Sequence, residues 1–239
     1  MEFNSDDIEV KLNPPDASHV AARSLILATV SCRGFIEPDA EDAANFWRRV
    51  LDWFWSLGID ANLEPFERVL LDQPLGTLGS QEQVDAAWLC EGVVVLGWAQ
   101  GRIEMPMYDE QIVAAEVADA LGFLKPKLET VLTKPILRSA AEIETCREQI
   151  FAIHWRLNEY RIQAKPIDFR TLAKNAWFGP MNLDGCRLID GDLAIGEARI
   201  DSATEAEFRR CCSVVRERHR AANWLCGESE IYSEVPTDT

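Results

Sequence analysis

Residues 80–101 read SQEQVDAAWLCEGVVVLGWAQG and contain the most apolar stretch of the chain. The apolar side chains surround the segment instead of forming one stripe, which predicts a helix that is buried on all sides. Ser80 and Gln83 predict a capping box at its start, and Gly101 follows its end. Its most apolar part, residues 84–99, carries Asp85 and Glu91 and is too short to cross a bilayer. It therefore predicts the central helix of a multi-helix protein.

Further helices are predicted on both sides of this segment. Each has apolar residues at spacings of three and four and a polar residue that can cap its first turn. Two precede the central helix, and three follow it. They cover residues 16–33, 39–57, 109–121, 139–162 and 202–226.

A strand pattern is predicted only over residues 187–200, where apolar and polar residues alternate around Asp190-Gly191 and Gly196-Glu197. Such pairs supply the positive φ angles that tight hairpin turns need. We therefore predict a mainly α fold with one small β-hairpin before the last long helix. A single helical domain is expected over 1–239, with an N-terminal arm at 1–15 and an acidic tail at 228–239.

The charge balance is strongly acidic, because 40 acids face 24 bases and give a formal net charge of −16. Such a surface repels nucleic acids and anionic membranes and attracts cationic partners. A basic protein partner is therefore predicted, with no nucleic acid and no membrane; the alternative is that the charge serves only solubility. The cysteines are odd in number and scattered, and the N-terminus lacks a secretory pattern, so a reduced cytoplasmic protein is expected.

The first candidate for chemistry is Glu91, a carboxylate inside the apolar central helix. Burying an unpaired carboxylate costs several kcal/mol, so Glu91 requires a cation or several hydrogen-bond donors. Two interpretations stay open. An arginine or histidine from another helix fixes the packing, or a shifted pKa makes Glu91 a catalytic acid.

The second candidate is a pair of histidines on two other predicted helices. His219 lies on the apolar face of the last helix, beside Glu217 and Arg218, and His154 lies at the edge of the apolar line of its own helix. With Glu91 these residues are predicted to form a buried polar network. If the histidines meet Glu91, an acid–base site or a metal site is the alternative. No cofactor or metal is predicted, because the standard motifs are absent.

The partner-binding surface is predicted from exposed acids and aromatic residues. Acidic clusters steer a basic partner, and aromatic side chains supply much of the binding energy at interfaces. The candidates are Glu37, Asp39, Glu41, Asp42, Trp53 and Trp177.

Short motifs along the chain resemble those of the DUF4272 family, in the same order. They are Arg23-Ser24-Leu25-Ile26-Leu27, Trp88-x-x-Glu91 with Leu96-x-Trp98-Ala99, His154-Trp155, Asp190-Gly191-Asp192-Leu193, Glu217-Arg218-His219 with Asn223-Trp224-Leu225, and Thr237-Asp238-Thr239. One departure is Leu89, where the family often has an arginine, so a cation for Glu91 must come from elsewhere. The resemblance implies a bacterial-type cytoplasmic protein and brings no established activity with it.

Two hypotheses on function follow. The favoured one is a non-catalytic acidic protein-binding module, such as an immunity-like protein that neutralises a cationic toxin or enzyme. The alternative is an enzyme that uses Glu91 with His154 or His219 for acid–base or metal-assisted chemistry.

Overall fold

The computed structural model describes residues 13–239 and contains eight α-helices and three short strands. The predicted mainly α, single-domain fold is confirmed. Of the predicted N-terminal arm, residues 1–12 lie outside the described residues. The elements are α1 (Ala17–Phe35), α2 (Ala43–Leu57), α3 (Pro65–Asp72), α4 (Ser80–Ala99), α5 (Ala114–Leu121), α6 (Ala140–Gln163), α7 (Phe169–Lys174), β1 (Leu188–Ile189), β2 (Asp192–Ile195), β3 (Ala198–Arg199) and α8 (Glu205–Leu225).

Helix α4 lies at the centre of the fold, as its apolar sequence predicts. It packs against α1 on one side and α8 on the other, and α8 in turn packs against α6. Every residue of α4 from 89 to 97 is buried. Burial of each large apolar side chain contributes roughly 1.5–3 kcal/mol, so α4 organises the core.

The contact between α1 and α4 is close because of Gly34. The sequence suggests that this glycine ends the first helix, but α1 continues through it to Phe35. A Cβ atom at position 34 would overlap the backbone of Ala87 in α4 and lie 2.7 Å from the Gln83 carbonyl oxygen. The glycine therefore serves close helix packing and does not terminate the helix.

Two helix caps agree with the sequence. The Asp16 side chain accepts a hydrogen bond from the His19 backbone N–H at 2.8 Å, at the start of α1. Ser139 and Glu142 form a capping box at the start of α6. Both pairs satisfy backbone donors that the first turn leaves free.

Other boundaries differ from the prediction. At the start of α4, the Gly79 backbone N–H donates to the Glu82 carboxylate at 2.8 Å, so the predicted Ser80–Gln83 capping box is wrong. The predicted start of α8 has Ser202 and Glu205 at the spacing of a capping box. The structure instead uses Thr204 and Glu207, a pair of the same spacing two residues later. Helix α5 begins at Ala114 and not at Asp109, because the Asp109 carboxylate pairs with Arg187 and accepts the Gly196 backbone N–H instead. Helices α3 and α7 lie in segments without a predicted helix; each is only two turns long or less, too short to show a helical period.

The predicted hairpin is part of a three-stranded antiparallel sheet with the order β1-β2-β3. Leu188 pairs with Leu193 across the first hairpin, and Ala194 pairs with Arg199 across the second. Asp190 and Gly191 form the first turn with φ angles of 51° and 84°. The strand prediction is thus confirmed, and the second Gly-containing pair adds a third strand.

The C-terminal tail is fixed to the helices by hydrogen bonds. The backbone N–H groups of Tyr232 and Ser233 donate to the Glu64 carboxylate at 2.7 and 3.1 Å. Asn223 donates to the Pro236 carbonyl at 2.9 Å. The tail therefore belongs to the folded domain. Over residues 13–239, none of the helices combines the length and apolarity that a membrane span requires.

Candidate functional site

Glu91 forms a buried ion pair with Arg218 of α8. Its Oε2 atom accepts hydrogen bonds from Arg218 Nε at 3.0 Å and Nη2 at 2.8 Å. Its Oε1 atom accepts the Ile112 backbone N–H at 3.0 Å. Both side chains are almost completely inaccessible to solvent. The cation that Leu89 does not provide is thus supplied by Arg218, which lies 127 positions after Glu91 in the chain.

Arg218 also binds the loop that connects α4 to α5. It donates to the carbonyl oxygens of Met107 at 2.8 Å and Glu110 at 2.6 Å. One guanidinium therefore joins α4, α8 and this loop. Five N–H donors in a planar fork suit such a junction, and the arrangement explains how Glu91 is tolerated in an apolar helix.

His154 and His219 form a second buried group. Their Nδ1 atoms are 2.9 Å apart, and the rings meet edge to face. Asn158 lies 3.3 Å from the Nε2 atom of His154. A direct Nδ1–Nδ1 hydrogen bond holds one proton, because two lone pairs repel each other and two N–H groups clash. The contact is therefore compatible with two neutral rings and not with two imidazolium ions.

The environment of the pair also favours neutral rings. Burial lowers the pKa of His154 to about 4, with a further contribution from Arg161 and Arg216. Burial first, then the neighbouring His154 and Arg147, lowers the pKa of His219 to about 3. The Nε2 atom of His219 is buried without a hydrogen-bond partner. At neutral pH the pair is therefore an uncharged polar contact between α6 and α8.

The five residues predicted as one network form three separate groups. Glu217 accepts hydrogen bonds from Arg216 at 3.1 Å and Arg220 at 2.7 Å, at the edge of α8. No hydrogen bond in the described chain joins it to Glu91 or to either histidine. The reason is helical geometry, because consecutive residues of α8 point in different directions.

The acid–base hypothesis requires these groups to reach a substrate. Glu91, His154 and His219 are 0%, 4% and 1% exposed. None of the three lines any of five surface clefts of residues 13–239, whose volumes are about 170–630 Å³. In residues 13–239, His, Cys, Asp and Glu side chains do not cluster in threes suited to a metal ion. Enzymatic activity at these residues thus stays a prediction that no observation favours.

Sequence reasoning missed two further buried ion pairs. Arg23 of α1 donates to Glu67 at 2.6 Å and lies 3.3 Å from Glu64, the residue that holds the C-terminal tail. Arg156 of α6 binds both carboxylate oxygens of Asp192 in β2 at 2.6 Å. Each arginine interrupts an apolar helix face. A buried charge at such a position requires a partner, as for Glu91, and this signal could have found both pairs.

One apolar cleft is a groove between α1, α2, α4 and α5, with a volume of about 520 Å³. It is lined by small side chains and by aromatic rings. The lining residues are Ala28, Ser31, Cys32, Phe35, Ile36, Phe46, Cys90, Val93, Ala114, Ala115, Val117, Ala118, Asp119, Phe123 and Leu124. Phe35 in particular is 49% exposed.

Two thiols face this groove. Burial raises the pKa of Cys32 to about 11, and burial together with the neighbouring Glu91 raises the pKa of Cys90 to about 12. At neutral pH both groups are protonated and behave as small apolar side chains, because the thiolate is the reactive form. They therefore belong to the apolar lining.

The predicted acidic cluster lies in the chain segment between two lining residues of this groove, Ile36 and Phe46. Glu37, Asp39, Glu41 and Asp42 are all exposed and follow directly after the lining residue Ile36. Within residues 13–239 none of the four forms a salt bridge. We call these four residues the acidic rim. Sequence alone identifies the rim but not the groove beside it.

The two predicted tryptophans occupy different environments. The Trp53 indole N–H donates to the Lys125 carbonyl at 2.7 Å, and its ring packs against Phe123 at a centroid distance of 4.7 Å. Trp53 thus supports one wall of the groove from behind. Trp177 is 93% exposed on the loop after α7. The structure does not bring Trp177 into the groove.

Comparison with known proteins gives one match. A family model described as "Domain of unknown function (DUF4272)" matches residues 5–174. No curated protein and no solved structure matches the chain. The matched region contains the complete groove and its acidic rim. The sheet and α8, with Arg218 and His219, lie beyond it.

Proposed function

This chain belongs to the DUF4272 family, and we propose that it is a non-catalytic acidic module that binds a basic protein in a bacterial-type cytoplasm. An immunity-like role, in which the module neutralises a cationic toxin or enzyme, is the specific form of the proposal. The supporting observation is the acidic rim, whose four exposed carboxylates lie beside an apolar groove.

The rim suits steering of a cationic partner. Carboxylates that already pair with a lysine or arginine attract a partner less than unpaired carboxylates do. Within the described chain, the rim carboxylates form no salt bridge. Long-range attraction between opposite charges accelerates encounter, and salt screens it over about 10 Å at 0.1 M. The apolar groove beside the rim offers the short-range contact that holds a partner after encounter.

The buried ionisable groups also support this proposal. Glu91 pairs with Arg218 and the two histidines contact each other inside the fold, which agrees with a proposal that assigns binding to the exterior. The proposal assigns them to stability, since removal of one member of a buried pair leaves the other member unpaired.

Affinity capture from an extract of the producing cells tests the proposal. The rim variant carries Glu37→Gln, Asp39→Asn, Glu41→Gln and Asp42→Asn. The control variant has the same formal charge and carries Glu104→Gln, Glu148→Gln, Asp184→Asn and Glu197→Gln, all at exposed positions.

We expect the wild type and the control variant to capture a basic protein at about 20 mM salt and to release most of it at about 0.5 M. The rim variant is expected to capture several times less. The absence of any basic protein at low salt, or equal capture by the two variants, contradicts the proposal.

A further inference from the structure

We infer that the groove between α1, α2, α4 and α5 receives the apolar face of a basic amphipathic helix from a partner protein. This inference rests on the proposed function and specifies which part of a basic partner is bound. It is carried by the shape of the groove, by its lining and by the charge of its edges.

The shape of the groove suits a helix. Small side chains such as Ala28, Ala115 and Ala118 line it and leave space for an occupant, and the rings of Phe35 and Phe46 line it as well. An amphipathic helix binds such a groove through side chains at spacings of three and four. The Trp53–Phe123 contact fixes one wall, so little ordering is needed on binding.

The lining indicates an apolar occupant. Ser31 and Asp119 are the main polar side chains among the lining residues, and the Asp119 carboxylate pairs with Lys125 at 2.7 Å. Sites for small polar ligands present several convergent polar groups. This groove instead offers apolar area, which an aliphatic helix face fills without leaving its own polar groups unpaired.

The edges indicate a positive charge on the occupant. The exposed acidic rim lies in the chain between the lining residues Ile36 and Phe46, and Glu116 is exposed between the lining residues Ala115 and Val117. Lysine and arginine residues beside the apolar stripe of a helix complement these carboxylates. A second copy of this chain is disfavoured, because its own acidic rim would meet the first one.

Fluorescence anisotropy with a synthetic peptide tests the inference. The probe is a labelled Leu/Lys amphipathic peptide of about 18 residues, a length of about five helical turns. A scrambled peptide of the same composition carries the same charge but no apolar face. Ala115→Trp fills the groove at an exposed position, and Ala206→Trp adds the same side chain on the exposed first turn of α8.

We expect the amphipathic peptide to bind at least tenfold more tightly than the scrambled one. Ala115→Trp should weaken this binding tenfold or more, Ala206→Trp should leave it unchanged, and the rim variant should raise Kd and reduce its salt dependence. Wild-type methyl NMR signals of Ala28, Val93 and Ala118 should shift during titration, which supports the site even where Ala115→Trp folds poorly.

The outcomes separate this inference from the proposed function. If the rim variant loses the peptide while Ala115→Trp binds normally and the methyl signals stay in place, the groove inference is wrong and the proposed function stands. If Ala115→Trp loses the peptide but the rim variant binds normally, the groove is real and the basic partner is wrong. Equal binding of both peptides overturns the inference as well.

Discussion

The His154–His219 contact predicts that acid destabilises the fold between pH 7 and pH 5. In the unfolded chain both imidazoles titrate near 6.5, whereas in the folded protein their pKa values are about 4 and about 3. Between these values the unfolded state binds more protons than the folded state. The free energy of unfolding therefore falls as the pH falls.

The magnitude follows from the two pKa differences. At pH 5 each folded histidine is still largely neutral, and each unfolded one is largely protonated. Linkage at ~1.4 kcal/mol per pKa unit gives a loss of about 2 kcal/mol for each ring relative to pH 7, or about 4 kcal/mol for the pair. This is a large part of the roughly 5–15 kcal/mol by which native proteins are stable.

Urea unfolding at pH 7, 6 and 5 measures this loss. Other groups also titrate, so the informative quantity is the difference in pH dependence between the wild type and His154→Asn/His219→Asn, in which both titrating rings are absent. The double variant should lose about 4 kcal/mol less over this range, and His219→Asn about 2 kcal/mol less. His19→Asn keeps the pair; because burial also lowers the pKa of His19, this variant should reduce the loss, but by less than the double variant does.

Burial sets the sign of both pKa shifts, and the neighbouring charged groups modify them. Arg161 and Arg216 near His154, and Arg147 near His219, lower the two pKa values, and Asp238 opposes them. If the double variant shows the same pH dependence as the wild type, the two rings are not buried as a neutral pair and the reasoning is refuted.

Three further predictions concern the core. Arg218→Met leaves the Glu91 carboxylate without its cation and should cost about 3–5 kcal/mol, whereas Glu91→Leu/Arg218→Met should cost less than the single change; urea unfolding of the two variants distinguishes them. Gly92→Ala should cost about 1–3 kcal/mol, because the new Cβ would overlap the Tyr232 hydroxyl. Tyr232→Phe should cost little, since that hydroxyl is buried without a partner. It should also rescue Gly92→Ala, because the Tyr232 Cζ atom is 3.5 Å from the added Cβ. A double variant as unstable as Gly92→Ala alone contradicts this packing.

The sequence predicts the long helices well because each of them shows an apolar period and a polar residue at its start. It is less accurate at their starts, where Ser202-x-x-Glu205 and Thr204-x-x-Glu207 compete as capping boxes and tertiary contacts decide between them. Short helices such as α3 (Pro65–Asp72) contain too few turns to show a period. Local pattern thus accounts for the fold class but not for every boundary.

The candidate site is predicted only in part, for a similar reason. Glu91 is identifiable as a buried carboxylate because its helix is apolar on all sides. Its partner Arg218 is far away in the chain, and only the packing of α4 on α8 brings them together. The groove is a gap between four helices, and no sequence pattern predicts a gap.

The central claim is that the acidic exterior binds the partner while the buried ionisable groups only stabilise the fold. The most direct measurement compares, at neutral pH and low salt, the amount of basic protein captured by the rim variant and by His219→Asn, with the folded fraction of each checked by circular dichroism. We expect folded His219→Asn to capture as much as the wild type and the rim variant to capture several times less. Loss of capture by folded His219→Asn, with normal capture by the rim variant, contradicts it.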